Sequence, residues 1–144
     1  MLTRYEAKYQ DIAMELGRAI HAESRFGAYE YSDRKTLALL ANPSVFCMLY
    51  LVEGKGAGFF LGIVQQMWFS EKKFGFDLAL YIKPEHRGGS AAVRMVREFE
   101  KFCRASGCSE VNLSSSAEIS TELAHRLYLG LGYQDCGFIV RKQI

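Results

Sequence analysis

The residues best suited to chemistry fall in one stretch, Tyr81-Ile-Lys-Pro-Glu-His-Arg-Gly-Gly-Ser-Ala-Ala92. It reads as the end of a buried strand, a sharp turn, and the first turn of a long helix. Such a turn leaves a row of unpaired backbone N–H groups at the positive end of a helix dipole. A row of that kind binds phosphate or pyrophosphate well. Pro84 fixes φ and donates no N–H. Gly88 and Gly89 let the backbone approach a ligand closely. Ser90, Ala91 and Ala92 are small, so nothing bulky covers the helix amides. Arg87 can add a charge-assisted contact to phosphate. The same residues also suit an ordinary strand-to-helix turn, and this stretch alone gives both readings similar weight.

The elements that would hold this turn follow from hydrophobic spacing. Thr3-x-x-Glu6 has the form of a capping box, which predicts a helix opening at Thr3. Tyr5, Tyr9, Ile12, Leu16 and Ile20 continue it at helical spacing to about Ala22. Glu23 to Tyr31 reads as an aromatic-rich loop. Ser32 or Asp33 caps a short second helix through Leu40, stopped by Asn42-Pro43. Three β-prone runs follow, Val45–Val52, Phe59–Phe69 and Phe74–Ile82, joined by the turns Glu53–Gly58 and Ser70–Lys73. Short turns between such runs predict an antiparallel meander.

After the turn, Ala92, Val96, Phe99 and Cys103 form the stripe of a long amphipathic helix that Gly107 stops. Glu110–Ser114 is a short strand, parallel to the third run because a helix crosses between them. Ser116–Ser120 is a polar loop with a candidate cap at Ser120. A last helix spans Thr121 to Leu131, and Tyr133–Lys142 reads as a final strand. The order α-α-β-β-β-α-β-α-β predicts an α+β fold in three layers, a mixed and mostly antiparallel sheet with helices on both faces.

A chain of 144 residues is expected to form a single domain, residues 1–144, with one real core. Hydrophobic residues make up 49% and charged residues 24%, which places the chain among ordinary globular proteins. A net charge of +2 is too small to argue for nucleic acid or an anionic membrane as partner. Cys47, Cys103, Cys108 and Cys136 form no Cys-x-x-Cys pair, and the histidines lack metal-ligand spacing. Free thiols in a reducing compartment and no metal are therefore expected. The first residues have no apolar leader segment, and no apolar run reaches spanning length. A cytoplasmic location is the expectation.

With these elements in place, Ile82-Lys-Pro-Glu-His-Arg-Gly-Gly-Ser-Ala-Ala92 resembles the acetyl-CoA pyrophosphate loop of the GNAT N-acetyltransferases. That loop has the form Arg/Gln-x-x-Gly-x-Gly/Ala after a strand ending Val-x-Pro-Glu. Arg87 and Ala92 match its first and last positions, while Ser90 stands at the usual central glycine. A second match is Ala124-His-Arg-Leu-Tyr-Leu-Gly-Leu-Gly-Tyr133, which resembles the family's late helix with its Tyr-x-x-x-Gly-Phe/Tyr ending at Tyr128 and Gly132-Tyr133. The family usually opens with a short strand, which the capping-box reading leaves missing or vestigial.

The resemblance implies an acetyl-CoA-dependent N-acetyltransferase, with acetyl-CoA as co-substrate, a primary amine as acceptor, and no metal. The pantetheine arm would pair with Leu80, Tyr81 and Ile82, where the third run splays from the next strand. The pyrophosphate would sit on amides from Arg87 through Gly88, Gly89, Ser90 and Ala91 to Ala92. Asn112 and Ser114 would border the same gap, although local sheet hydrogen bonding explains them equally well. Tyr128 would hydrogen-bond the CoA sulfur and serve as general acid. Asp77 is the only acid inside the third run and the candidate base, with Glu23, His21 or ordered water as other proton acceptors. Phe26, Tyr29, Tyr31 and Trp68 could wall an acceptor pocket or simply pack a core. A non-catalytic member of the fold, binding CoA or a partner protein, is the alternative. Exposed sheet edges leave room for a homodimer.

Overall fold

The computed structural model describes residues 1–115 and 117–144. Its sheet has the order β1-β2-β3-β4-β5, with β1 Leu2–Arg4, β2 Val45–Val52, β3 Lys55–Gln66, β4 Lys73–Ile82 and β5 Cys108–Asn112. β1 to β4 pair with one another antiparallel in turn, and β5 runs parallel to β4. Helices α1 (Gln10–Glu23) and α2 (Asp33–Leu40) cover one face. Helices α3 (Ala91–Ala105) and α4 (Thr121–Gly130) cover the other.

Each face has its own core. Phe46, Met48 and Phe60 project from the sheet onto Met95, Val96 and Phe99 of α3 and Tyr128 of α4. Cys47, Leu49, Leu51, Phe59 and Tyr81 project oppositely, onto Ala13 and Leu16 of α1. The alternation along β2 is the pleat expressed as two buried faces. Gly62 is required on the α3 face, because a Cβ there would lie 2.6 Å from the Phe99 ring.

The start of the chain differs from the capping-box expectation. Leu2–Arg4 pairs with Met48–Tyr50, and the α-helix begins only at Gln10. Thr3 bonds no helix amide; its hydroxyl donates to Arg4 O at 3.3 Å. The exposed edge of β2 offers a ladder, and the Arg4 guanidinium lies 4.2 Å from the centre of the Phe46 ring. Those contacts outweigh a local cap. The opening strand is thus reduced to three residues rather than missing. The turn after β2 is also tighter than expected. Only Glu53 and Gly54 separate the strands, both at positive φ (51° and 75°), as a two-residue hairpin demands.

Two further expectations change near the C-terminus. Ser120 is left-handed (φ 52°) and makes no side-chain cap, so only its carbonyl serves the helix, accepting from Ala124 N–H at 3.0 Å. Ser116 of the same loop lies outside the described residues. The final strand expected over Tyr133–Lys142 does not form, and the segment is irregular. Gly137 turns at φ 86°. Phe138, Ile139 and Val140 are 90%, 80% and 82% exposed. β-propensity without a partner edge makes no ladder.

Candidate active site

The site begins where β4 and β5 part. Their parallel pairing runs from Lys73–Cys108 to Phe76–Asn112 and then ends. Beyond it β4 keeps β3 on one edge, through Ala79–Leu61, Leu80–Phe60, Tyr81–Phe59 and Ile82–Gly58. Among the described residues its other edge has no strand, so Leu80, Tyr81 and Ile82 border a V-shaped gap whose apex is at Asn112. Asp77 clasps this apex. Its Oδ1 accepts from Ser114 N–H at 2.9 Å and from Ser114 Oγ at 3.3 Å.

A β-bulge marks the same place. Leu61 faces Ala79 while Gly62 faces Asp77, which leaves Leu78 as an extra residue in β4. A bulge re-aims backbone groups and bends the strand. Nothing in the sequence foretold it, beyond one acid interrupting an otherwise apolar run.

Tyr128 comes to the gap from α4. It is buried, and its hydroxyl donates to Ser114 O at 3.4 Å. Ser114 therefore joins the two residues expected to do chemistry, receiving Tyr128 at its carbonyl and serving Asp77 with its amide and hydroxyl. Asp77, Asn112, Ser114 and Tyr128 line one cleft of about 830 Å³. Burial pushes the Asp77 carboxyl up to about 6, partly offset by the Ser114 hydrogen bonds. Burial, then the nearby Asp77 charge, raises the Tyr128 hydroxyl above the ordinary tyrosine range. Tyr128 is thus held protonated as a donor. Asn112, by contrast, carries its side chain only to Glu110, at 3.4 Å.

The turn after β4 presents the expected amides. Pro84–His86 forms a single 3-10 turn, and Gly88 sits at φ 96°. Among the described residues, no backbone partner takes the N–H groups of Gly88, Gly89, Ser90, Ala91 or Ala92, the first helical donor being Arg94 to Ser90 O at 3.0 Å. A Cβ at Gly88 or Gly89 would meet nothing within 4 Å, so the approach to these amides is open.

Arg87 differs from its expected free pose. Its Nε donates to Ile82 O at 2.7 Å and its Nη2 to Glu23 Oε1 at 2.6 Å. The Tyr81 hydroxyl donates to the other oxygen of Glu23 at 2.8 Å. Burial raises the Glu23 carboxyl, but the hydrogen bonds from Arg87 and Tyr81 outweigh it and hold the group below its usual value. Burial first, and then Glu23, pushes the Tyr81 hydroxyl up to about 12.

A second cavity, of about 310 Å³, lies across the sheet between α1, α2 and the strands. Its walls include His21, Phe26 and Tyr31, and it reaches Leu78 and Ala79 of the bulge. Tyr29 and Trp68, expected as further walls, are 54% and 94% exposed and line no part of it. No group of His, Cys, Asp and Glu suited to a metal occurs among the described residues. No helix there is long and apolar enough to cross a membrane.

A family model described as "Acetyltransferase (GNAT) family" matches residues 9–133. The chain belongs to that family. The aminoglycoside N(6')-acetyltransferase type 1 of Acinetobacter haemolyticus is 24% identical over 110 residues, which covers 76% of this chain and 63% of that protein. The chain thus spans less than two thirds of the length of this curated relative. Solved acetyltransferase structures share the fold at lower identity. The ribosomal-protein-alanine N-acetyltransferase of Brucella melitensis biovar Abortus 2308 is 14% identical with a TM-score of 0.75, over 99% of each chain. The aminoglycoside acetyltransferase AAC(6')-Iy, solved with a bisubstrate analogue of CoA and an acetylated neamine, is 12% identical with a TM-score of 0.80, over 100% of this chain and 97% of that one.

Proposed function

We propose that this chain transfers an acetyl group from acetyl-CoA to a primary amine by direct attack. One observation carries the reading: the strand-free edge of β4 at Leu80–Ile82 leads directly into the open amides of Gly88–Ala92. An extended pantetheine can pair along the first, and a pyrophosphate can accept from the second. Asn112 stands where the slot closes.

Within this reading, backbone N–H at the Leu78 bulge polarises the thioester carbonyl. The amine nitrogen bonds to the acetyl carbon as the carbon–sulfur bond breaks. The departing thiolate takes the Tyr128 proton, and the product amine gives up its extra proton to water. Asp77 is best assigned to positioning. Its Oδ1 is committed to Ser114, on the opposite side of the bulge from the cavity under α1 and α2. It fixes the apex of the gap rather than receiving the amine proton.

A second copy of the chain is the partner that best fits the open edge of β5. The apolar segment Phe138–Val140 is exposed and strongly β-prone, and it extends from the cleft beside that edge.

The test is acetyl-CoA itself. Ligand at 100 times its Kd adds roughly 2.7 kcal/mol of stability, which a thermal melt reads directly. Release of free CoA thiol with an amine present then reads transfer. The proposal stands if acetyl-CoA raises the melting temperature and an amine is acetylated. Absence of a shift at millimolar acetyl-CoA, or binding without transfer to any amine, overturns it.

A further inference from the structure

We infer that the acceptor is a small primary amine with an apolar body, of the alkyl or arylalkyl class, and not a polycationic aminosugar. The inference rests on the acetyl-transfer reading and concerns the cavity of about 310 Å³ between α1, α2 and the sheet.

Position comes first. Leu78 and Ala79, the bulged residues of β4, form one part of this cavity's wall. An amine seated there approaches the bulge from the face opposite Asp77 and Tyr128. The amine and the leaving-group acid then reach the thioester from different faces of the sheet, so that neither blocks the other.

The walls decide the substrate class. Ile20, Leu39, Leu40, Leu49, Phe59 and Leu61 are among its walls, and the lining is mostly apolar. No Asp, Glu, Lys or Arg lines the cavity among the described residues. The hydroxyls that do line it are already engaged. Thr36 Oγ1 donates to the Tyr31 hydroxyl at 2.9 Å and lies 3.2 Å from Ser32 O. Ser24 Oγ donates to His21 O at 3.1 Å and accepts from Phe26 N–H at 3.1 Å. Cys47 is a neutral thiol, its pKa pushed up to about 12 by burial. The carboxylate at the end of α1, Glu23, is occupied by Arg87 and Tyr81.

A polycation needs carboxylates for its several ammonium groups, since an unpaired buried charge is strongly disfavoured. This cavity offers none. An apolar-bodied monoamine meets no such penalty beyond its reacting nitrogen. For that nitrogen the apolar wall is an advantage. Desolvation disfavours the ammonium form and delivers the neutral amine that attack requires. The same walls therefore select the substrate and favour its neutral form, and His21, whose buried Nε2 has no partner among the described residues, is the one titratable nitrogen they offer the reacting amine.

The experiment uses the full chain saturated with acetyl-CoA and compares 2-phenylethylamine and hexylamine with sisomicin and spermidine. Thiol release gives kcat/KM, and calorimetry on the CoA-bound protein gives amine affinity. The expected result is a preference for the apolar amines of about 100-fold or more, the scale set by burying an unpaired charge. Leu40→Trp, which fills the cavity, should raise the KM for 2-phenylethylamine about tenfold or more and leave acetyl-CoA affinity unchanged. Leu39→Asp, a second variant, should shift preference toward spermidine. If acetyl-CoA causes no melting shift, the parent reading fails. If it does, and sisomicin or spermidine is preferred, or no panel amine is turned over, this inference alone is overturned. Folded variants with unaltered amine selectivity overturn it as well.

Discussion

Arg87 Nη2 lies 2.6 Å from Glu23 Oε1, which ties the turn after β4 to the end of α1. The arginine folds back onto its own strand through Ile82 O, and Tyr81 shares the same carboxylate. Its charge is therefore balanced within the fold. Affinity for phosphate should then reside in the backbone amides of Gly88–Ala92 rather than in the guanidinium. Ser90→Glu, which places a carboxylate among those amides, is expected to abolish the acetyl-CoA melting shift. Arg87→Ala should weaken acetyl-CoA binding by only about tenfold, the scale of one charge-assisted hydrogen bond. Calorimetry on both variants checks this, and a larger loss in Arg87→Ala would reverse the assignment.

Tyr128 gives a different signature. Its ring is part of the α3-side core, so Phe at this position keeps the packing and removes only the hydroxyl. Tyr128→Phe is expected to lower kcat by about 10²-fold or more, the usual contribution of a positioned acid. The Kd for acetyl-CoA should stay within a factor of two or so, because the hydroxyl's one contact, to Ser114 O at 3.4 Å, is long. Steady-state kinetics beside calorimetry separates the two. Equal loss of kcat and of acetyl-CoA affinity would remove Tyr128 from the acid role.

Much of this site is legible in the sequence because local chemistry dictates it. Pro84, Gly88 and Gly89 can form little else than an open turn between a strand and a helix. The stripe of Val96, Phe99 and Cys103 fixes which face of α3 meets the sheet. What the sequence concealed depends on partners far along the chain. Thr3 favours a cap until the β2 edge offers Leu2–Arg4 a ladder. Arg87 looks free for phosphate until Glu23, 64 residues earlier, is seen against it. The Leu78 bulge is set by register with Leu61 and Gly62, which no local pattern encodes.

Asp77 makes stability depend on pH in a defined direction. Burial raises its folded pKa to about 6, while the unfolded chain keeps the ordinary value of 3.8. Between those values the folded state binds more protons than the unfolded one, so stability falls as pH rises through this window. The full effect above pH 6 is on the order of 3 kcal/mol at most. Asp77→Asn keeps an oxygen for Ser114 and removes the charge. Its melting temperature should lack the decline between pH 4 and 6 that this group contributes in the parent protein. The pH profile of kcat/KM should be unchanged if Asp77 only positions the gap. Loss of an acidic limb near pH 6 in the variant would instead make Asp77 the proton acceptor.

The irregular C-terminal segment leads to a prediction about assembly. Phe138, Ile139 and Val140 are β-prone and leave their side chains in water. β5 is the edge strand on the same side of the molecule. An apolar segment and an unpaired edge each lack what the other provides, and pairing across two copies satisfies both. Light scattering should therefore show a dimer at tens of micromolar protein, with slow hydrogen exchange at Ile139 and Val140. Ile139→Asp should give a monomer, and because Ile139 lines the same cleft as Tyr128 and Asp77, its acetyl-CoA affinity is measured beside the oligomeric state. A monomeric parent protein whose Ile139 and Val140 amides are nonetheless protected would mean that the segment closes on its own β5, and the dimer would be excluded.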